Sequence, residues 1–329
     1  MMMTLAMSLL GIQAKKWTAD EVKAVIRQVN NYWQTNNPAE VRSFWDNAAY
    51  HTGNMEVYKL LKDQQMLDYS IRWAEHNQWK GATEPNPANW KYKQYGESPE
   101  YVLFGDWQIC FQTYIDLYNL QPAEKKVARA KEVMGYVADS KANDYWFWAD
   151  ALYMVMPVMT KMYKLTGDDK YLRKLYENLC YSDSIMLDKE TGLYFRDGKY
   201  VYPKHQTANG KKDFWARGDG WVLAGLAKVL QDMPETYVRQ PFFVEKYVNL
   251  ARGVKKLQQP EGHWTRSMMD PEQAWNYLTT IALQKDGKIG YVQPIGERAI
   301  PGQTVDANSQ ANFGVGAFLL AACEYVRYI

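Results

Sequence analysis

The segment Phe214-Trp215-Ala216-Arg217-Gly218-Asp219-Gly220-Trp221 packs two tryptophans, an arginine, a carboxylate and two glycines into one short block. Tryptophan faces offer flat apolar walls, an arginine fork suits a carboxylate or phosphate, and glycine lets backbone and ligand come close. An apolar helical run over 222–230 follows the block. This arrangement suits an acidic sugar. Arg217 would bind the sugar's carboxylate or shift the acidity of an attacking group. The alternative is an ion pair with Asp219 that pins the loop.

Asp150 is the single charged residue between Tyr145 and Met159, in a run that reads Tyr-Trp-Phe-Trp-Ala-Asp-Ala-Leu-Tyr-Met-Val-Met-Pro-Val-Met. A carboxyl in such surroundings is desolvated, and burial disfavours its charged form. A carboxylic acid held protonated near neutral pH is what a general acid requires. Asp106, in Leu103-Phe104-Gly105-Asp106-Trp107-Gln108-Ile109-Cys110-Phe111, repeats the pattern. Helix capping is the alternative for both. If both stand at the same end of neighbouring helices they face one cavity, and paired carboxylates are the usual equipment for breaking glycosidic bonds. Arg196, in the loop between Gly192 and Gly210, is a further candidate for contact with an anionic substrate. His51 follows Phe44-Trp45-Asp46-Asn47-Ala48-Ala49-Tyr50, and Trp45 and His51 are candidate lining of the same cleft. A buried structural histidine is the alternative there.

Other chemistries find no support. The four histidines and three cysteines show no metal-ligand spacing, and the sparse, odd cysteine set is no disulfide framework. There is no phosphate loop, nucleophile elbow or dinucleotide fingerprint. Catalysis without metal or organic cofactor is expected. The 39 basic and 37 acidic side chains nearly cancel, so no broad field draws in nucleic acid or an anionic membrane. The expected partner is an acidic oligosaccharide substrate, and the chain itself is expected as a monomer or weak homo-oligomer.

These residues must be held by helices. Apolar residues recur at helical spacing over Ala19–Gln34, Thr52–Leu61, Asp63–His76, Tyr101–Asn119, Pro122–Ala138, Ala149–Leu165, Asp168–Met186, Trp215–Gln231, Gln240–Gln258, Glu272–Leu283 and Gln310–Ile329. The segments at 122–138, 168–186 and 240–258 are charge-rich and amphipathic. Those at 101–119, 149–165, 215–231 and 310–329 are apolar nearly all round, which predicts burial. Alternating wet and dry helices predict an all-α toroid of two concentric rings, with an active site built at one end of the inner ring. An α-solenoid is the alternative, but no self-similar period runs through the chain. Two rings of six need twelve helices and the pattern yields eleven, lacking an inner helix near 269–275. Residues 5–12 resemble a secretory h-region, so 1–14 is expected to be a signal peptide remnant and 15–329 a single catalytic domain, periplasmic or secreted.

The Trp215–Trp221 block, joined to Trp148-Ala149-Asp150-Ala151-Leu152-Tyr153-Met154, resembles glycoside hydrolase family 105, the unsaturated rhamnogalacturonyl hydrolases, and the related family 88 unsaturated glucuronyl hydrolases. The resemblance extends over most of the chain, from about Asp20 to Ile329. It implies an (α/α)6 barrel that releases a 4,5-unsaturated uronic acid from the non-reducing end of oligosaccharides made by polysaccharide lyases. The implied chemistry hydrates the vinyl ether double bond rather than attacking the anomeric carbon. By that resemblance Asp150 protonates C4 and then draws a proton from the water adding at C5. Asp106 helps orient substrate or water, Arg217 and Trp221 surround the sugar and its water, and Trp215 lines the same wall. The chain departs from the pattern in three places. Arg196 stands where a histidine is common, Asp219 where asparagine is common, and the turn and inner helix expected after Trp264–Pro271 are missing. A non-catalytic or impaired sugar-binding barrel, and an ordinary α/α-barrel glycosidase or epimerase, are the competing readings.

Overall fold

The computed structural model describes residues 17–207, 210–258, 264, 268–269, 282–292 and 305–328. Among these are eleven α-helices: α1 (Ala19–Asn36), α2 (Trp45–Leu61), α3 (Gln64–His76), α4 (Gly105–Gln108), α5 (Cys110–Leu120), α6 (Ala128–Asp139), α7 (Ala149–Thr166), α8 (Lys170–Met186), α9 (Ala216–Asp232), α10 (Gln240–Lys256) and α11 (Asn312–Tyr328). Local chemistry fixes several ends. Thr18 and Glu21 form a reciprocal capping box on α1, and Asp63 caps α3 by accepting the Gln65 amide. Gly167, at φ 72°, closes α7 in the left-handed conformation that glycine adopts without strain.

The helices form two rings. In the inner one α11 packs on α2, α2 on α5, α5 and α4 on α7, and α7 on α9. Outside it, α1 lies on α11, α3 on α2, α8 on α7 and α10 on α9. Burial follows the division. Every residue of α7 from Ala149 to Met162 is buried, whereas α10 buries only Phe243, Leu250 and Val254. The inner seam between α2 and α11 is closed by glycine. A Cβ on Gly53 would lie 2.5 Å from the Gly316 carbonyl oxygen, and one on Gly316 would lie 2.5 Å from that of Ala49. The two backbones therefore touch, a distance open to no side-chain-bearing residue. With the solved relatives described below, these features establish the (α/α)6 barrel.

Three boundaries differ from the sequence expectation. The second helix begins at Trp45, not Thr52, because its first turns are buried nearly all round and give no amphipathic signal. The helix expected over 101–119 starts at Gly105, since Leu103 turns its amide to the Lys91 carbonyl, and it is divided at Ile109. The segment from Pro122 enters α6 through a 3-10 turn at Glu124–Lys126. The expected signal segment, the gap beyond Met269 and all but the last two residues of the helix expected over Glu272–Leu283 lie outside the described residues. Among the described residues, strand-like pairing is confined to isolated bridges such as Trp148 with Asp197 and Leu187 with Tyr194.

The two ends of the inner ring carry different chemistry. The C-terminal ends hold a network in which Lys59 bonds Glu56 (2.8 Å) and Asp116 (3.0 Å), Lys161 bonds Asp116 (2.5 Å), Lys164 bonds Asp232 (2.7 Å) and Arg327 bonds Glu56 (2.7 Å). Lys228 joins it at 3.8 Å from Glu56, around a cavity of about 360 Å³. Cations there complement the partial negative charge of helix C-termini. The N-terminal ends gather the residues singled out above.

Candidate active site

Asp106 and Asp150 each occupy the second position of an inner helix, α4 and α7. Neither is the cap. The residues in that role are Phe104 and Trp148, whose rings stack at 4.6 Å and 22° and roof the two helix starts. Asp106 is 3% exposed and Asp150 7%. Burial pushes both carboxyls above the usual range. Asp106 is raised further by the negative charges of Asp150, Asp46 and Glu97, and Arg196 opposes this. Asp150 is pulled back by Arg217 and Arg196, while Asp197 raises it. Oδ1 of Asp106 is buried without a hydrogen-bond partner. The arrangement is an acid pair with cations at its edge, suited to delivering a proton.

At the same end of the ring, with the charge of Arg217 acting on Asp150, stands a row of rings and one guanidinium. Arg217 lies 4.4 Å over the Trp215 ring and 5.3 Å over the Phe313 ring. Phe313 packs on Trp45 at 5.1 Å. The row thus links the starts of α9, α11 and α2. Asn312 fixes the junction by donating to Asp46 Oδ2 (3.0 Å) and Asn47 Oδ1 (2.8 Å). Trp221 lies one turn below Arg217 on the same helix face, as i and i+4 residues do. Its ring meets Tyr153 at 4.6 Å, and the Tyr153 hydroxyl pairs with Thr52 Oγ1 at 2.7 Å. The Trp221 indole N–H is buried without a partner.

Arg196 reaches the pair on a loop pinned to it. The Ala149 amide, first in α7, donates to the Arg196 carbonyl (2.8 Å), and Arg196 Nη1 donates to Asp197 Oδ2 (2.5 Å).

Two expected cleft residues are elsewhere. Asp219 follows Arg217 by two positions, about 200° around an α-helix, and so points away from the row. It has no exposed surface, and its Oδ1 accepts the Tyr194 amide (2.8 Å), so it holds the loop rather than the substrate, and holds it without Arg217. His51 is 1% exposed in the middle of α2. Its ring stacks on Trp73 at 4.0 Å, Nδ1 meets Ser70 Oγ at 3.0 Å, and burial drives its pKa well below the ordinary value. It is a packed, neutral core histidine.

The family model described as Glycosyl Hydrolase Family 88 matches residues 17–282 and 272–329. The chain belongs to glycosyl hydrolase family 88. The two matched pieces meet at 272–282, beside the stretch where the sequence pattern lacks a helix. A family 88 glycosyl hydrolase from Bacteroides vulgatus is 53% identical, with a TM-score of 0.92 over 95% of this chain and 100% of that one. A solved protein that carries the name polysaccharide lyase is 60% identical, with a TM-score of 0.91 over 94% of this chain and 98% of that one. A curated "Unsaturated 3S-rhamnoglycuronyl hydrolase" from Formosa agariphila is 27% identical over 90% of this chain and 88% of its own length. A family 105 protein of C. acetobutylicum, 18% identical with a TM-score of 0.67, shares the fold over 92% of this chain and 98% of its own. The protein is therefore a glycoside hydrolase.

In this family 88 enzyme, sequence reasoning overlooked Phe313, Asp46 and Asp197. A signal for Asp46 was present. Phe44-Trp45-Asp46, Phe104-Gly105-Asp106, Trp148-Ala149-Asp150 and Trp215-Ala216-Arg217 all set an aromatic N-cap two residues before a charge. Four inner helices thus present a charged second residue at one end of the barrel. Phe313 and Asp197 carried no comparable pattern. Among the described residues no group of three His, Cys or carboxylate side chains is placed to hold a metal ion, and no helix is long and apolar enough to cross a membrane.

Proposed function

We propose that this enzyme releases a 4,5-unsaturated uronic acid from the non-reducing end of lyase-made oligosaccharides by adding water across the double bond. The observation that carries the reading is the pair of buried carboxyls, Asp106 and Asp150, both pushed upward by burial, at the same end of the ring as a guanidinium stacked between Trp215 and Phe313. Asp150 gives its proton to C4, and the positive charge left at C5 is shared with the ring oxygen. Water then bonds to C5 and yields a proton to the Asp150 carboxylate, which restores the acid. The resulting hemiketal opens to a ketone and expels the next sugar. Asp106 orients sugar or water, and Arg217 with Trp215, Trp221 and Trp45 frames the uronate. The name of the Formosa relative supports a substrate of this class.

The name of the 60% identical protein raises the reverse chemistry, elimination to form such a double bond. Elimination begins by removing a proton from C5, whereas burial shifts both carboxyls toward the form that supplies one. The two readings differ in sign. With oligosaccharides from lyase digests of acidic polysaccharides, the ultraviolet absorbance of the conjugated double bond should fall. A rise on intact polymer, or no change on any digest, would overturn the proposal.

A further inference from the structure

Asp219 occupies an expensive position. Its carboxyl is sealed in the first turn of α9, with one hydrogen bond to Oδ1 and none to Oδ2. A buried polar atom left unpaired costs free energy, and its persistence asks for a reason.

The reason lies in what the bond holds. Asp219 accepts the Tyr194 amide (2.8 Å), and the Tyr194 hydroxyl donates to Asp183 Oδ1 (2.6 Å) on α8. The next amide, of Phe195, donates to the Met186 carbonyl (2.8 Å). The residue after that is Arg196, whose carbonyl takes the first amide of α7, directly before Asp150. Three consecutive residues thus span from the start of α9 to the start of α7. We propose that Asp219 is a positioning residue for the reaction, fixing the 194–197 turn so that Arg196 stands beside Asp150.

This inference rests on the hydrolase reading above and adds a residue that acts without touching substrate. The charged groups facing Asp150 are Arg217 from α9, Arg196 and Asp197 from the turn, and Asp106 from α4. Releasing the turn withdraws Arg196, one of the two cations that pull the Asp150 carboxyl down. The alkaline limb of the pH profile should then move upward. The needed property of Asp219 is the acceptor at Oδ1, in a place where burial disfavours the charged form. Asparagine supplies the same acceptor.

The experiment follows kcat/KM for double-bond loss against pH in wild type, Asp219→Asn, Asp219→Ala, Arg196→Gln and the Asp219→Ala/Arg196→Gln double variant. Asp219→Asn should keep the wild-type profile. Asp219→Ala and Arg196→Gln should share one upward shift of the alkaline limb, with kcat lowered by up to about 10²-fold, the scale of a small misplacement. The double variant should be no worse than Arg196→Gln alone. An unshifted profile in Asp219→Ala or in Arg196→Gln, or losses that multiply in the double variant, would overturn the inference. Should Asp219→Ala fail to fold, Arg196→Gln still decides, because a wild-type profile there refutes the link. Absence of turnover in the wild type itself refutes the hydrolase reading and is seen before any variant is compared.

Discussion

Replacing Lys228 by methionine should stabilise the protein. Lys228 lies in the charge network at the C-terminal end of the inner ring, with 12% of its side chain exposed and its Glu56 pairing stretched to 3.8 Å. Burial lowers its pKa from 10.5 to about 8, against the pull of Glu56. That difference corresponds to about 3 kcal/mol against the charged form. Glu56 retains Lys59 at 2.8 Å and Arg327 at 2.7 Å when Lys228 is removed. Lys228 is nonetheless one of the cations that hold the Glu56 carboxyl down at about 2, so part of the gain is lost. A net gain of about 1–3 kcal/mol at pH 7 is expected, or about 2–4 °C in Tm for each kcal/mol. The sign with pH follows from linkage. The folded-state pKa is depressed, so between about 8 and 10.5 the unfolded chain binds more protons and wild-type stability rises with pH. The advantage of Lys228→Met should therefore be full below pH 8 and vanish near 10.5. The assay is thermal unfolding of both proteins across pH 6–11, with turnover measured alongside. Turnover should not change, since Lys228 is at the end of the ring away from Asp150. A variant less stable than wild type at pH 7, or a difference independent of pH, would refute the reasoning.

Three further outcomes can be measured. Asp150→Asn should lower kcat by about 10²–10⁴-fold while leaving the circular dichroism spectrum and Tm near wild type, and substantial remaining turnover would remove Asp150 from the acid role. Gly316→Ala drives a Cβ to 2.5 Å from the Ala49 carbonyl oxygen and 2.7 Å from Tyr50 Cα, so a loss of about 1–3 kcal/mol is expected by denaturant unfolding; an unchanged or raised midpoint would argue against backbone contact between α2 and α11. His51 stays neutral in the fold while the unfolded chain binds a proton below about pH 6.5, so its contribution is absent above that pH and costs stability as pH falls. His51→Phe should flatten the acid side of the stability curve and preserve turnover, and an unaltered slope would contradict the burial described for it.

Much of the architecture was legible because apolar periodicity separates the rings. Helices α7 and α10 announce themselves, one apolar all round and the other striped. The start of α2 was hidden for the same physical reason that makes it important, since residues 45–51, all buried except the half-buried Asp46 and Asn47, form a polar and aromatic mixture without a stripe. Asp150 and Asp106 stood out in the sequence because each is a lone charge among apolar residues, and the same isolation accounts for their burial in the fold. His51 and Asp219 were misplaced because composition does not reveal direction. Two residues along a helix reverse a side chain, and only three-dimensional packing shows that Asp219 faces Tyr194 rather than the Arg217 row. Phe313 joins the site from a helix start far along the chain, and no local pattern relates it to Trp45.

The central claim is that water adds at C5 of the unsaturated sugar and leaves the anomeric bond to break afterwards. Running the reaction in buffer containing methanol tests this directly, because methanol can take the place of the attacking water. Addition at C5 would give a methyl ketal that cannot collapse, so mass spectrometry and NMR should detect an oligosaccharide heavier by one methanol, saturated at C4 and still joined to its neighbour. A methyl glycoside formed at C1, with the double bond retained, would contradict the account.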